Sequence, residues 1–110
     1  MSKLELAKIE IVNAKIINVF VGIEDHGILT SDIQLEGDGW GQSFGGYSLS
    51  GIAMYVWIKE ILAVFEITDW SDLNGMHCRI KRNDREIYEI GNIIKDKWFN
   101  PEEAFAKVNK

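Results

Sequence analysis

Scarcity is the first feature of this sequence. It holds one cysteine, one proline and two histidines in 110 residues. A lone Cys78 cannot close a disulfide within the chain, so a reducing compartment is expected. Neither C-x-x-C nor H-x-x-x-H spacing occurs, so no metal site and no metal cofactor are expected. Long apolar runs are also missing. "IINVFVGI" (16–23) is eight residues, against the ~20 that a helix needs to span a bilayer. "MSKLELAKIE" mixes charged with apolar residues and does not read as a signal peptide. The expectation is a cytoplasmic chain with no membrane partner. Cations are few: 12 Lys and Arg against 17 Asp and Glu leave a net charge of −5. That balance argues against binding extended nucleic acid, which requires many phosphate-neutralising groups. A local basic cluster could still hold one small anion. With no repeat, low-complexity tract or linker, residues 1–110 read as one domain, long enough to bury about 60–70% of the unfolded surface.

What is present is patterned. "KIEIVNAKIINVFVGI" (8–23) is rich in β-branched residues and reads as strand. Its phase slips from Ile9 and Ile11 to Val12, Ala14 and Ile16, which predicts a bulge or break near Asn13. "EDHG" (24–27) is a turn. "ILTSDIQLE" (28–36) is a second strand with Leu29, Ser31, Ile33 and Leu35 on one side. Ser50 is a candidate cap for a helix from Gly51 to Phe65, with Met54, Ile58, Ile61, Leu62 and Phe65 as its inward stripe. Its opposite side carries Ala53, Trp57 and Val64, and a helix apolar nearly all round needs cover on two sides. A second subunit supplies that cover, so a homo-oligomer is expected. "TDWSDLNG" (68–75) predicts one capped helical turn. "MHCRIKRNDREIYEI" (76–90) predicts a hairpin about Asn83-Asp84, pairing Lys81 with Glu86, Ile80 with Ile87 and Arg79 with Tyr88. "NPEEAF" (100–105) starts a helix, with Asn100 as cap and Trp98 or Phe99 stapled on Phe105. The expected fold is α+β: an antiparallel sheet of about five strands, one main helix packed on it, and a short C-terminal helix.

Six of the ten glycines fall in "EGDGWGQSFGGYSLSG" (36–51), directly before the main helix. Read as a loop, part of which ("SFGGYSL") could add a strand, this stretch would present backbone amides to a phosphate or carboxylate. Trp40, Phe44 and Tyr47 are interleaved to stack on a base or seal a pocket. The alternative is a plain connection between strands. Neither the Walker nor the dinucleotide pattern is present. "RIKRNDR" (79–85) places four cations in seven positions, with Arg79 and Lys81 on the face of His77 and Tyr88; arginine beside an aromatic suits a nucleotide phosphate and base. The competing reading is a sheet edge protected by charge. His77 and Cys78 are strand neighbours and point to opposite faces, with Cys78 expected in the core. His26, with Glu24 or Asp25, offers a general base, although turn chemistry also accounts for these residues. "KDKW" (95–98) reads as solvated lysines beside a staple.

Together "GIEDHGILT" (22–30), "GWGQSFGGY" (39–47) and "GNIIKDKWFNP" (91–101) resemble a family of small uncharacterised proteins encoded in phages and prophages, over residues 8 to about 105. The resemblance implies a phage product in a bacterial host cytoplasm. It supplies no reaction and no catalytic residue. Compact oligomeric phage proteins often counter host defence, some by sequestering nucleotide signals.

These readings converge on a non-enzymatic homo-oligomer that sequesters a small anionic ligand such as a cyclic nucleotide, without a cofactor. The ligand residues expected are Gly39, Trp40, Gly41, Gln42, Phe44, Gly45, Gly46, Tyr47, His26, Arg79 and Arg82. Direct inhibition of a host defence protein is the second reading. A small hydrolase using His26 is the third.

Overall fold

The structure is a computed structural model that describes residues 9–48 and 51–108. Strands β1 (Glu10–Ile23), β2 (Leu29–Gly37) and β3 (Trp40–Ser48) precede helix α1 (Ile52–Phe65). A 3-10 turn (Trp70–Leu73), β4 (His77–Arg82), β5 (Ile87–Asn92), β6 (Trp98–Phe99) and α2 (Pro101–Val108) follow. The fold is α+β, and the antiparallel sheet has six strands in the order β3-β2-β1-β4-β5-β6.

β1 joins two hairpins. Its first part, Glu10 to Lys15, pairs with β4, and from Lys15 to Ile23 it pairs with β2. The irregularity expected near Asn13 lies between Ile16 and Asn18 instead. There the extra residue, Ile17, changes which parity of side chain points inward. Ala14 and Ile16 are buried before it, and Val19 packs on the core after it. Ile11, read as part of an inward alternation, is 59% exposed. In β2 the inward set is as expected: Ser31, Ile33 and Leu35 are buried.

Most of the glycine-rich stretch is strand: Glu36 and Gly37 end β2, Asp38 and Gly39 turn the chain, Gly39 with φ 77°, and Trp40–Ser48 is β3. The sheet curls until its ends meet. Phe44 of β3 and Phe99 near the far edge stand edge to face with ring centroids 6.5 Å apart. Gln42 Nε2 donates to Asn83 O at 3.1 Å, joining β3 to the β4–β5 turn.

α1 lies in the concavity, and its phase differs from the expected one. Trp57, Ile61, Val64 and Phe65 are its buried residues. Trp57 is fully enclosed: it stacks on Phe44 at 5.3 Å, meets Phe99 edge to face at 5.7 Å, and donates its Nε1–H to Ser31 Oγ at 2.8 Å. Ser31 Oγ in turn donates to Phe20 O at 2.8 Å. Ala53, Met54 and Ile58 pack on the same core, while Ile52, Tyr55, Lys59 and Ala63 form the solvent stripe. Trp57 and Val64 are covered within one chain, so α1 does not call for a second subunit. The helix closes at Glu66, in the left-handed region at φ 57°. The expected Ser50 cap lies outside the described residues.

Local signals elsewhere hold. Asp69 Oδ1 accepts the Ser71 N–H at 2.9 Å and caps the 3-10 turn. Asn100 Oδ1 accepts the Glu103 N–H at 3.2 Å, and Phe99 is the staple on Phe105, with centroids 6.5 Å apart. Cys78 is fully buried, and burial pushes its thiol up to about 12. A thiol reagent at pH 8 is therefore expected to leave the native protein unlabelled and to modify one equivalent after denaturation. Native labelling at the denatured rate would contradict this burial. No helix among the described residues is long and apolar enough to cross a membrane.

Candidate functional site

The expected ligand residues separate into three places. The first is the end of the curled sheet, where Trp40, Gln42 and Arg82 do come together. The Arg82 guanidinium lies 4.4 Å from the Trp40 ring centroid. It donates through Nε to Gln42 Oε1 and through Nη1 to Glu10 Oε1, both at 2.6 Å. Arg82 is 7% exposed. Its charge is balanced by Glu10 and its donors face acceptors of the same chain, so these residues close the sheet instead of awaiting a phosphate.

Packing explains two of the glycines. A Cβ on Gly37 would stand 2.3 Å from the Trp40 ring, and one on Gly45 would stand 2.7 Å from Trp57 and 2.8 Å from Ser31 O. Gly41 lies in the strand opposite Glu36. Gly46 has φ 76° and open space around it. The amides of this segment run along a strand and do not converge as a nest. Phe44 is a core residue, 1% exposed. The Tyr47 side chain lies outside the described residues.

The second place is the β1–β2 turn. His26 Nδ1 and Glu24 Oε2 are 3.1 Å apart, so the expected imidazole–carboxylate pair forms. Glu24 Oε1 also accepts the N–H groups of His26 at 2.6 Å and Ile28 at 3.3 Å. The His26 ring is the main cause holding the Glu24 carboxyl below its ordinary range. A depression of about 310 Å³ beside this turn is lined by Glu24, Ile28, Thr30, Asp32 and Gly46. Two carboxylates give it the wrong sign for an anion, and His26 does not line it. The pair organises a turn.

The third place is the outward face of β1, β4 and β5, opposite the helices. The β4–β5 register differs from the expected one: Arg79 pairs with Gly91, Ile80 with Ile90 and Lys81 with Glu89. The cause is the turn. Asn83 N donates to Glu86 O, and Asn83 Oδ1 accepts from the N–H groups of Arg85 and Glu86. This wider turn and an irregularity between Lys81 and Arg82 displace every pair. Tyr88 is therefore not opposite Arg79. The aromatic beside the cations is Trp98, whose ring lies on Gly91, where a Cβ would come within 2.5 Å. Lys81 Nζ and the Arg79 guanidinium carbon stand 4.6 and 4.9 Å from its centroid. Arg79 also donates to the carbonyls of Asn92 and Lys95, at 2.9 and 2.8 Å, and so pins the loop that carries Trp98. Lys95 and Lys97, read as solvated, both reach Glu66, at 2.8 and 3.3 Å.

On the same face Lys15 has Glu36 on one side and His77 on the other. A depression of about 260 Å³ is lined by Asn13, Ala14, Lys15, Glu36, Gly37 and His77. Sequence pattern alone does not single out Lys15 or Glu36, because residues 15, 36 and 77 meet only through strand register. The outward parity of Lys15 against Ala14 and Ile16 is the available hint. Among the described residues, no group of three or more His, Cys, Asp or Glu side chains gathers to hold a metal.

Compared with known proteins, the chain matches no family model, no curated protein and no solved structure.

Proposed function

We propose that the chain is a non-enzymatic binder of a small anionic, nucleotide-like ligand, held on the uncovered face of the sheet. One observation carries this reading: Lys15, His77, Arg79 and Lys81 occupy neighbouring outward positions on β1 and β4, beside Trp98, in a chain of net charge −5. Lys15 and His77 would supply donors to the anionic group. Arg79, which also keeps Trp98 in place, would add positive potential, and Lys81 would add less, because Glu89 already pairs with it at 3.4 Å. This differs from a site on the glycine segment, where Arg82 is already neutralised.

In the setting that the phage resemblance implies, such binding would sequester a host nucleotide signal. Occlusion of a host protein is the second reading, favoured by exposed apolar residues on β1 such as Ile11, Ile17 and Phe20. Association of copies rests on the same residues and no longer on α1.

Isothermal titration with cyclic mononucleotides tests the first reading. A saturable heat that weakens with salt is expected, because the contacts are charged and near solvent. Lys15→Ala should weaken binding about tenfold, equivalent to about 1.4 kcal/mol, and Lys81→Ala by less, because Glu89 already shares its charge. Absence of any heat, or affinity unchanged in both variants, would refute it.

A further inference from the structure

The outward face carries a carboxylate where a simple anion site would have none. Glu36 stands directly across β1–β2 from Lys15, and both line the 260 Å³ depression with His77. Directly opposed residues of a sheet have side chains about 4.5–5.5 Å apart at Cβ, close enough for an ion pair. Here none forms. Among the described residues the ion pairs engage Glu10, Glu24, Glu66 and Glu89, while the Lys15, Glu36 and His77 side chains enter no ion pair or hydrogen bond. The depression therefore has donors on one wall and an unengaged acceptor on the other. Neighbouring strands lie about 4.8 Å apart, so Glu36 is about one strand spacing from Lys15 and about two from His77.

We infer that Glu36 makes this site selective for anions that also carry a hydrogen-bond donor, such as a sugar hydroxyl or an amine, about 5–10 Å from the charged group. The inference rests on the anion-binding reading above and refines it. An anion without a donor meets the repulsion of the Glu36 carboxylate and gains nothing in return. A ligand with a correctly placed donor forms a charge-assisted hydrogen bond, stronger than a neutral one. A site that places a polar group for a partner rejects analogues that lack it, because the group is left unpaired. Glu36 is exposed, which limits the discrimination.

The test compares adenosine 5′-monophosphate with its 2′,3′-dideoxy counterpart by titration of the full chain. The native protein should prefer the ribonucleotide about tenfold. In Glu36→Ala the preference should collapse to near unity, with the dideoxy ligand binding more tightly than it does to the native chain. Glu36→Gln, which keeps an acceptor but loses the charge, should retain part of the preference, and it serves if the alanine variant fails to fold. Equal affinity of the native protein for both ligands, or a preference that survives Glu36→Ala, overturns the selectivity while leaving anion binding standing. Failure of the native protein to bind either ligand overturns the anion-binding reading as well.

Discussion

Replacing Gly45 by alanine is expected to destabilise the protein by about 2–5 kcal/mol. The new methyl group would stand 2.7 Å from the Trp57 ring and 2.8 Å from Ser31 O, at φ 106°. Overpacking of this kind costs about 1–3 kcal/mol. The positive φ adds about 1–2 kcal/mol for an L side chain. The collision is with a backbone carbonyl and a ring wedged between Phe44 and Phe99, so neither obstacle can swing aside. Chemical denaturation of native and variant chains measures the loss. A loss below about 0.5 kcal/mol, the range of ordinary surface substitutions, would mean that β3 does not press on Trp57.

Truncating Trp57 itself should cost about 3–5 kcal/mol, the usual range for deleting a buried large aromatic. It is the largest fully buried side chain, and it links β2, β3 and β6 to α1. Such a loss is a large share of the 5–15 kcal/mol typical of a domain. Trp57→Phe separates the contributions. It keeps an aromatic in the cavity and removes the Nε1 donor, so about 1–2 kcal/mol should be lost. Ser31 Oγ retains Phe20 O as its acceptor and is not stranded. Because a Cβ on Gly45 would meet the Trp57 ring, Gly45→Ala and Trp57→Ala should not add: the second change relieves the ring part of the collision, while the contact with Ser31 O and the positive φ remain. A double-mutant cycle checks this, and strict additivity would place the collision elsewhere.

Both changes bear on function only through the frame. The Lys15–Glu36–His77 row depends on β1 pairing with β2 and β4 together, and the concave core holds those strands in register. On the proposed anion-binding reading, a weakened core would loosen affinity without any contact to the anion. Lys15→Ala would instead change affinity and leave stability nearly untouched, which separates the two roles.

The two strands around the EDHG turn, the Asp69 cap and the Asn100-Pro101 helix start are specified by residues within a few positions of one another. Local chemistry sufficed for them. The phase of α1 was misread because the helix has almost no polar side: once Trp57 and Met54 are equally apolar, periodicity offers no ground for choosing the buried stripe. The hairpin register was misread because Asn83 accepts two turn amides and lengthens the turn, shifting Arg79 from Tyr88 to Gly91. The glycine segment reads as a loop, with strand expected only in its SFGGYSL part, because Gly45 serves a partner remote in sequence. Gly45 makes room for Trp57, and a composition count cannot distinguish that from room for a ligand.

By itself, then, the order of residues determined an α+β chain of short antiparallel strands and two helices, where several turns and caps fall, and that Cys78 belongs to the core. These follow from dihedral preferences, alternation and capping, which act over a few bonds. Only the tertiary structure decided that the sheet has six strands, that it curls around Trp57, and that Arg82 is spent on Glu10 and Gln42. It alone brought Glu36, Lys15 and His77 into one row. Such groupings depend on which distant strands lie side by side, and that is settled when the whole core closes, not by any segment in isolation.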